Sequence, residues 1–407
     1  MDERNCATPF IGPIIFAVTA LVFLIFGSLV LCANPGIVCQ TALDNRAQWW
    51  ILLIVFGFAM PAAFAAIYAA LPGVFGIPLH GRQLVYLHYG FYFCGLIAIL
   101  LAPLVPDLPQ APMGPFLVAC GAFVFVANIG LSLRKLSRPD AASAFLSLGC
   151  LWLIAVSLLG SPFALQAPLT ALAGTNWSAG WLFLAVVGVC FNALYALGYR
   201  ALCPFARTAI VWFGLAFVNT GIAWVAASLG VGPRSFVLLT AVVFLIGALI
   251  AHAAYLSLRD RGRVESVYGI KVLSLAFSLV PLFAALLIFA VFQHAGASTP
   301  REPPLAENGV EPSAVFAVSA LEWSVALFAL CAVIVPGLVG AFFSLQAKTR
   351  ISGAFVVSYI FGAALVICGA VLAAKPSIAI GAALLALAVS GSLVSLLRRF
   401  VAEFSPK

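Results

Sequence analysis

The residues able to carry chemistry in this chain are few. It has four histidines, His80, His88, His252 and His294. A haem iron or a copper ion needs several ligands converging at one depth. Only His88 and His252 are candidates for such a shared site, on the inner side; the ordinary reading is of imidazoles lying among lipid headgroups. There are 10 cysteines. Cys94, Cys120, Cys150, Cys190, Cys331 and Cys368 stand singly inside apolar runs with no CxxC, where a thiol behaves as a small hydrophobe. Cys32 and Cys39 differ: they are close together on the side read below as oxidising, which makes them a candidate disulfide. Glu322 is the one carboxylate well inside an apolar run, about eight residues or ~12 Å from its outer end. Ionisable groups at such depth are costly and mark candidate function, although a hydrogen-bonded carboxyl near the outer interface accounts for it too. Asn128, Asn192, Asn219 and Thr220 are uncharged polar residues within runs and are expected to hold helices together. Tyr86, Tyr89 and Tyr92 are expected to pack on one helix face. No P-loop, dinucleotide fingerprint or HExxH is present, and no Ser/His/Asp arrangement.

The elements that must position these residues follow from composition. Hydrophobic residues make up 64%, charged residues 8%, and the mean hydropathy is +1.18. A soluble chain of 407 residues needs about a quarter of its residues charged, so lipid is the expected surface and the bilayer the first partner. A backbone in lipid must satisfy its own hydrogen bonds, which leaves helices or closed barrels. Barrel strands alternate apolar and polar residues; these runs are continuously apolar, so an all-α polytopic membrane protein is expected. The net charge of +8 lies in short loops rather than on one basic face, which excludes nucleic acid as a partner.

About twelve transmembrane helices can be marked, at roughly 10–32, 49–71, 85–104, 114–133, 142–160, 180–199, 208–229, 235–258, 272–294, 314–345, 354–374 and 378–397. Breaks fall at clusters such as VPDLPQAPM, RKLSRPD and AKTRISG. Pro336 predicts a kink in the tenth. The segment MDERNCATPF lacks the basic start of a secretory signal, so the first span is expected to be retained. With the N-terminus inside, all 20 Lys and Arg except Arg46, Arg234, Arg301 and Lys375 fall on the inner side, a strong positive-inside bias. Multi-pass insertion in a bacterial inner membrane, with both termini cytoplasmic, is therefore expected. Trp49, Trp50, Trp177 and Trp181 fall at outer ends, as an aromatic belt would. Three longer outer loops, 33–48, 160–179 and 295–313, are the segments long enough to meet another protein. No repeat, low-complexity tract or soluble domain stands out, and 1–407 reads as a single integral-membrane domain. Nor do paired discontinuous segments, the usual pointer to a transport site, show in the sequence.

The stretch FGFAMPAAFAAIYAALPGVFGIPLHGRQL resembles subunit I of the haem–copper oxidase superfamily. That family has a haem-ligand histidine ten residues before a Met-Pro pair, then a Gly/Pro turn. Met60-Pro61 matches the pair, and Trp50 stands where the histidine would. VSALEWSVALFALCAVIVP resembles the family's tenth helix, where a Trp precedes two haem-ligand histidines. Trp323 fits the Trp, while the ligand positions fall on Leu327 and Ala329. The sixth and seventh spans hold no histidine where the copper ligands would lie. Phe56-Gly57-Phe58 also gives a second resemblance, to the NnrS family of membrane proteins of nitric-oxide stress, again without its histidines. The resemblance implies an oxidase-like twelve-helix bundle deprived of its haem and copper ligands.

The expected function is that of a cofactor-free, non-catalytic membrane subunit. It would serve as an interaction, assembly or scaffolding partner of other membrane or periplasmic subunits in a respiratory or copper-dependent complex. Two alternatives remain open. One is transport of a small solute, proton or metal ion, motivated by Glu322. The other is a redox protein binding haem or quinone at new positions, for which His88 and His252 would have to face each other.

Overall fold

The structure is a computed structural model, and it describes residues 11–39, 45–101, 113–160, 184–202, 211–212, 214–216, 218–223, 353–371 and 374–404. Among these the chain is helical with no strand. α1 is Gly12–Ala33. α2 runs from Asn45–Leu52 through a π-helical turn, Leu53–Ala59, into Met60–Gly73. α3 is Arg82–Leu101, α4 Met113–Leu133 and α5 Ala141–Gly160. α6 joins a second π-helical turn, Leu184–Phe191, to Asn192–Leu202. α7 is Gly214–Ala223, α8 Gly353–Val371 and α9 Lys375–Phe404. Six helices among the described residues are long and apolar enough to cross a membrane. This is a membrane-embedded helical protein.

Helix ends follow local chemistry. Pro13 opens α1 at its first turn, where a missing N–H costs nothing. Asp140 and Ser143 form a reciprocal cap on α5: Ser143 N–H donates to Asp140 Oδ1 at 2.8 Å, and Asp140 N–H to Ser143 Oγ at 3.0 Å. α2 stops at Gly73, where the chain folds back on its own last turn. Phe75 N–H reaches Ala70 O and Ile77 N–H reaches Leu71 O. Gly76 in that turn has φ +67°, a left-handed conformation that glycine adopts without strain.

α2 is the central post. Its apolar window is 94% buried, against 33% to 56% for the other five long spans. α1 and α6 pack along it, α3 and α4 form one antiparallel pair, α8 and α9 another, and α9 returns to cover α1. Trp49 Nε1 donates to Leu100 O at one end of the bundle. At the other, Arg200 and Lys135 approach carbonyls of the turn between α2 and α3.

The packing contains a repeat that the bare sequence does not advertise. Trp50, Gly57, Phe64, Tyr68 and Leu71 in α2 have the same spacing as Trp181, Gly188, Tyr195, Tyr199 and Leu202 in and before α6. The two π-helical turns begin at the same place in that register, at Leu53 and Leu184. The neighbours repeat as well. Phe16 of α1 packs on Phe64 and Tyr68, and Phe145 of α5 packs on Tyr195 and Tyr199. Phe23 lies over Gly57 as Trp152 lies over Gly188.

The hairpins repeat too. In α3–α4 a Cβ on Gly95 would stand 2.7 Å from Gly114 O and from Val118 N; in α8–α9 one on Gly362 would stand 2.9 Å from Gly381 O and 3.1 Å from Leu385 N. These four positions correspond at one constant offset. Each requires glycine, because a side chain would meet backbone across the seam. The expectation of no repeat is thus corrected. Most of the intervening apolar positions differ between copies, so the glycines, the aromatics and a few small or branched residues such as Leu53/Leu184 and Ala65/Ala196 carry it.

Candidate functional site in the bundle core

His88 lies two turns into α3 and is completely buried, at 0% exposure. This corrects the headgroup reading. α3 starts at Arg82 rather than at 85, and its inward face is the one carrying Val85, His88 and Tyr92. Five rings surround the imidazole: Phe64 and Phe16 at centroid distances of 4.6 and 4.7 Å, Phe125 at 5.2 Å, Tyr68 and Tyr92 at 5.9 Å. His88 Nδ1 is 3.1 Å from Tyr68 Oη. Among the described residues His88 Nε2 has no hydrogen-bond partner. If Tyr68 donates to Nδ1, the stranded atom is an N–H; if Nδ1 donates, it is a lone pair. The neighbouring tyrosines do not share one face. Tyr86 is exposed, Tyr89 meets Thr19 Oγ1 at 3.0 Å, and Tyr92 is buried. Three-residue steps rotate a side chain by about 60° each on a 3.6-residue helix, which spreads the tyrosines around α3.

The π-helical turns set a second group of polar contacts. An i→i+5 turn inserts a residue and leaves carbonyls without their ordinary partners, and in lipid these must be satisfied by neighbours. Tyr92 Oη donates to Phe56 O. Asn192 Nδ2 donates to Gly188 O at 2.7 Å. The Cys190 thiol lies 3.8 Å from Ala59 O and 3.9 Å from Met60 Sδ, joining one π turn to the other. Asn192 and Asn219 pair amide to amide at 3.1 and 3.2 Å, and Trp152 Nε1 donates to Asn219 Oδ1 at 2.8 Å. These asparagines act as helix glue, as their types imply. A cavity of ≈ 30 Å³ lies beside the first π turn, lined by Phe56, Met60, Tyr92, Leu153 and Ser157 among others.

The turn joining α2 to α3 is clasped from α4 and α6. Asn128 accepts from Gly81 N–H at 3.0 Å and donates to Gly81 O at 3.1 Å. Ser132 Oγ accepts from His80 N–H at 2.8 Å. Arg200 pairs with Asp140 and lies 5.6 Å from the Phe75 ring centroid. The histidine side chain at position 80 is itself exposed.

Of the candidates read from sequence, the structure brings His88 into the core and places no second histidine beside it among the described residues. His252, His294 and Glu322 lie outside the described residues. Cys32 carries a free thiol, and the Cys39 side chain lies outside those described. Trp50, expected in an outer belt, is 2% exposed and donates its indole N–H to Gly27 O at 3.1 Å. Among the described residues no group of three His, Cys, Asp or Glu stands close enough to hold a metal ion. Residues missed in the sequence are Tyr68 and Trp152, and the contacts of Cys190, read there as a small hydrophobe, are missed too. Tyr68 and its counterpart Tyr199 share a register that could have flagged the first; nothing in the sequence marks the other two. No protein-family model and no curated protein matches this chain.

Proposed function

We propose that this chain is a twelve-span, oxidase-like membrane subunit that contributes no redox cofactor and acts as an assembly or interaction partner of a membrane complex. Its setting in this reading is a bacterial inner membrane, with both termini cytoplasmic and other membrane or periplasmic subunits as partners. The observation that carries it is Trp50. The oxidase resemblance asks for a haem-ligand imidazole at that position. The indole there is instead buried and hydrogen-bonded to α1, so the side chain ties two helices together. Seven consecutive residues after it, from Leu53 to Ala59, are also buried, and five aromatic rings pack around His88. Gentle purification of the full chain from its native membrane tests this reading. A partner subunit is expected at fixed stoichiometry, lost on deletion of Thr299–Glu311 in the outer loop 295–313. A chain that purifies alone, with normal yield, contradicts it.

One observation favours the transport reading as a second choice. π-interrupted segments in corresponding positions of two repeats are paired discontinuities, the feature that points to a solute site in transporters. Solute flux in proteoliposomes, compared between wild type and Glu322→Gln, tests it. Flux unchanged by the substitution removes Glu322 from any pathway.

A further inference from the structure

We propose that the end of the α3–α4 hairpin nearest α5 is a binding site for an anionic phospholipid, with its phosphate held by the basic residues after α4 and its acyl chain laid along the hairpin's outer surface. Arg134, Lys135 and Arg138 are all exposed in the short connection from α4 to α5. The turn holding His80 and Arg82 is fixed against them, because His80 N–H donates to Ser132 Oγ and Lys135 Nζ reaches Pro78 O and Leu79 O at 3.4 and 3.5 Å. The hydrogen bonds therefore hold two basic loops as one rigid surface.

Among the described residues no carboxylate pairs with Arg134, Lys135 or Arg138. Between Asn45 and Pro139 the sequence has one acidic residue, Asp107, in the connection at the opposite end of α3 and α4. Asp140, next along, is engaged by Arg200 and by the α5 cap. A cluster of cations at the ends of spans, level with headgroups, attracts anionic lipid.

The apolar half of the ligand is indicated by the hairpin's outer faces. Leu87, Gly90 and Cys94 are exposed on the side of α3 away from α4, and Phe123, Ala127 and Gly130 on the side of α4 away from α3; Gly130, whose carbonyl accepts from Arg134 N–H at 3.1 Å, lies one turn below the cations. A Cβ built on Gly90 or Gly130 would meet nothing within 4 Å. These glycines are unlike Gly95 and Gly114, which the helix seam demands; they leave dents in a lipid-facing surface that is otherwise bulky. A dent in the apolar surface below a cationic end fits an acyl chain attached to a phosphate. A nucleic acid or an acidic peptide has no use for the apolar half.

The test uses the full chain in nanodiscs of phosphatidylcholine, with or without phosphatidylglycerol, read by native mass spectrometry for retained lipid and by the thermal unfolding midpoint. Phosphatidylglycerol is expected to be retained at least about tenfold over phosphatidylcholine and to raise the midpoint, given what each basic residue contributes near anionic headgroups. Arg134→Gln with Arg138→Gln should abolish the preference and leave the midpoint in phosphatidylcholine unchanged; both side chains are exposed, so folding is spared. Gly130→Leu should weaken retention without altering charge. Equal retention of the two lipids by wild type overturns the proposal, as does a preference that survives both charge substitutions. If inorganic phosphate alone reproduces the midpoint shift, the site takes a free anion and the lipid assignment is wrong.

Discussion

The α1–α2 half of the core and the α5–α6 half share their packing but differ in their polar content. Both have a π-helical turn, a glycine covered by a ring, and a Phe on two aromatic neighbours about two and three turns after that glycine. The first encloses His88 in aromatics and, among the described residues, leaves Nε2 without a partner. The second closes its polar groups on themselves through Asn192, Asn219 and Trp152. At the repeat position where α2 has Pro61, α6 has Asn192. The frame is therefore set by glycines and rings, and the polar groups are inserted independently in each half. Losses in the frame should be alike in the two halves, while losses of polar groups should not.

The largest effects are expected from the rings. Phe64→Ala and Tyr195→Ala should each destabilise by about 3–5 kcal/mol, the usual result of emptying a filled aromatic site, as measured by unfolding in mixed detergent. A difference between them of more than about 2 kcal/mol, beyond the ordinary spread of such sites, would break the equivalence of the halves. Next come the covered glycines. A Cβ on Gly57 would stand 2.8 Å from Phe23 Cγ, and one on Gly188 2.9 Å from Trp152 Cβ. Gly57→Val and Gly188→Val should each cost about 1–3 kcal/mol through overpacking. A neutral result at either site shows that its ring moves aside and that the contact is not part of the frame.

The polar substitutions should separate the halves. Asn192→Leu strands Gly188 O and part of the Asn219 amide, for about 1–2 kcal/mol, near the upper end of what interhelical hydrogen bonds contribute in membranes. His88→Phe strands Tyr68 Oη, for about 1 kcal/mol, but keeps a ring in the cage and should cost less than Asn192→Leu, which strands two groups. If His88→Phe proves the more damaging of the two, the stranded nitrogen has a partner of its own and His88 is a site rather than filling.

Much of the architecture was legible in the residues. The expected spans at 10–32, 114–133 and 142–160 correspond to α1, α4 and α5 within about two residues at either end, because an apolar run bounded by charge and proline has only one way to lie in a bilayer. The third span begins earlier than expected because the stretch Arg82–Leu84 is helical although polar, clasped by Asn128 through Gly81. α9 runs on to Phe404, past the expected end at 397, since Arg398 and Arg399 suit helical geometry as well as a loop. The π turns were not legible: LIVFGFA and LAVVGVCF look like any apolar helix, and the extra residue is tolerated only because Tyr92 and Asn192 satisfy the released carbonyls. The same holds for His88. Its burial depends on rings from four helices, which no local pattern reports.

The most direct measurement is the absorption spectrum and metal content of the full chain purified in mild detergent from its native membrane. With Trp50 seated where the oxidase resemblance asks for an imidazole, no Soret band is expected, and neither iron nor copper should be present in stoichiometric amount. One equivalent of haem per chain would contradict the cofactor-free reading and move attention to His88 and to the histidines outside the described residues.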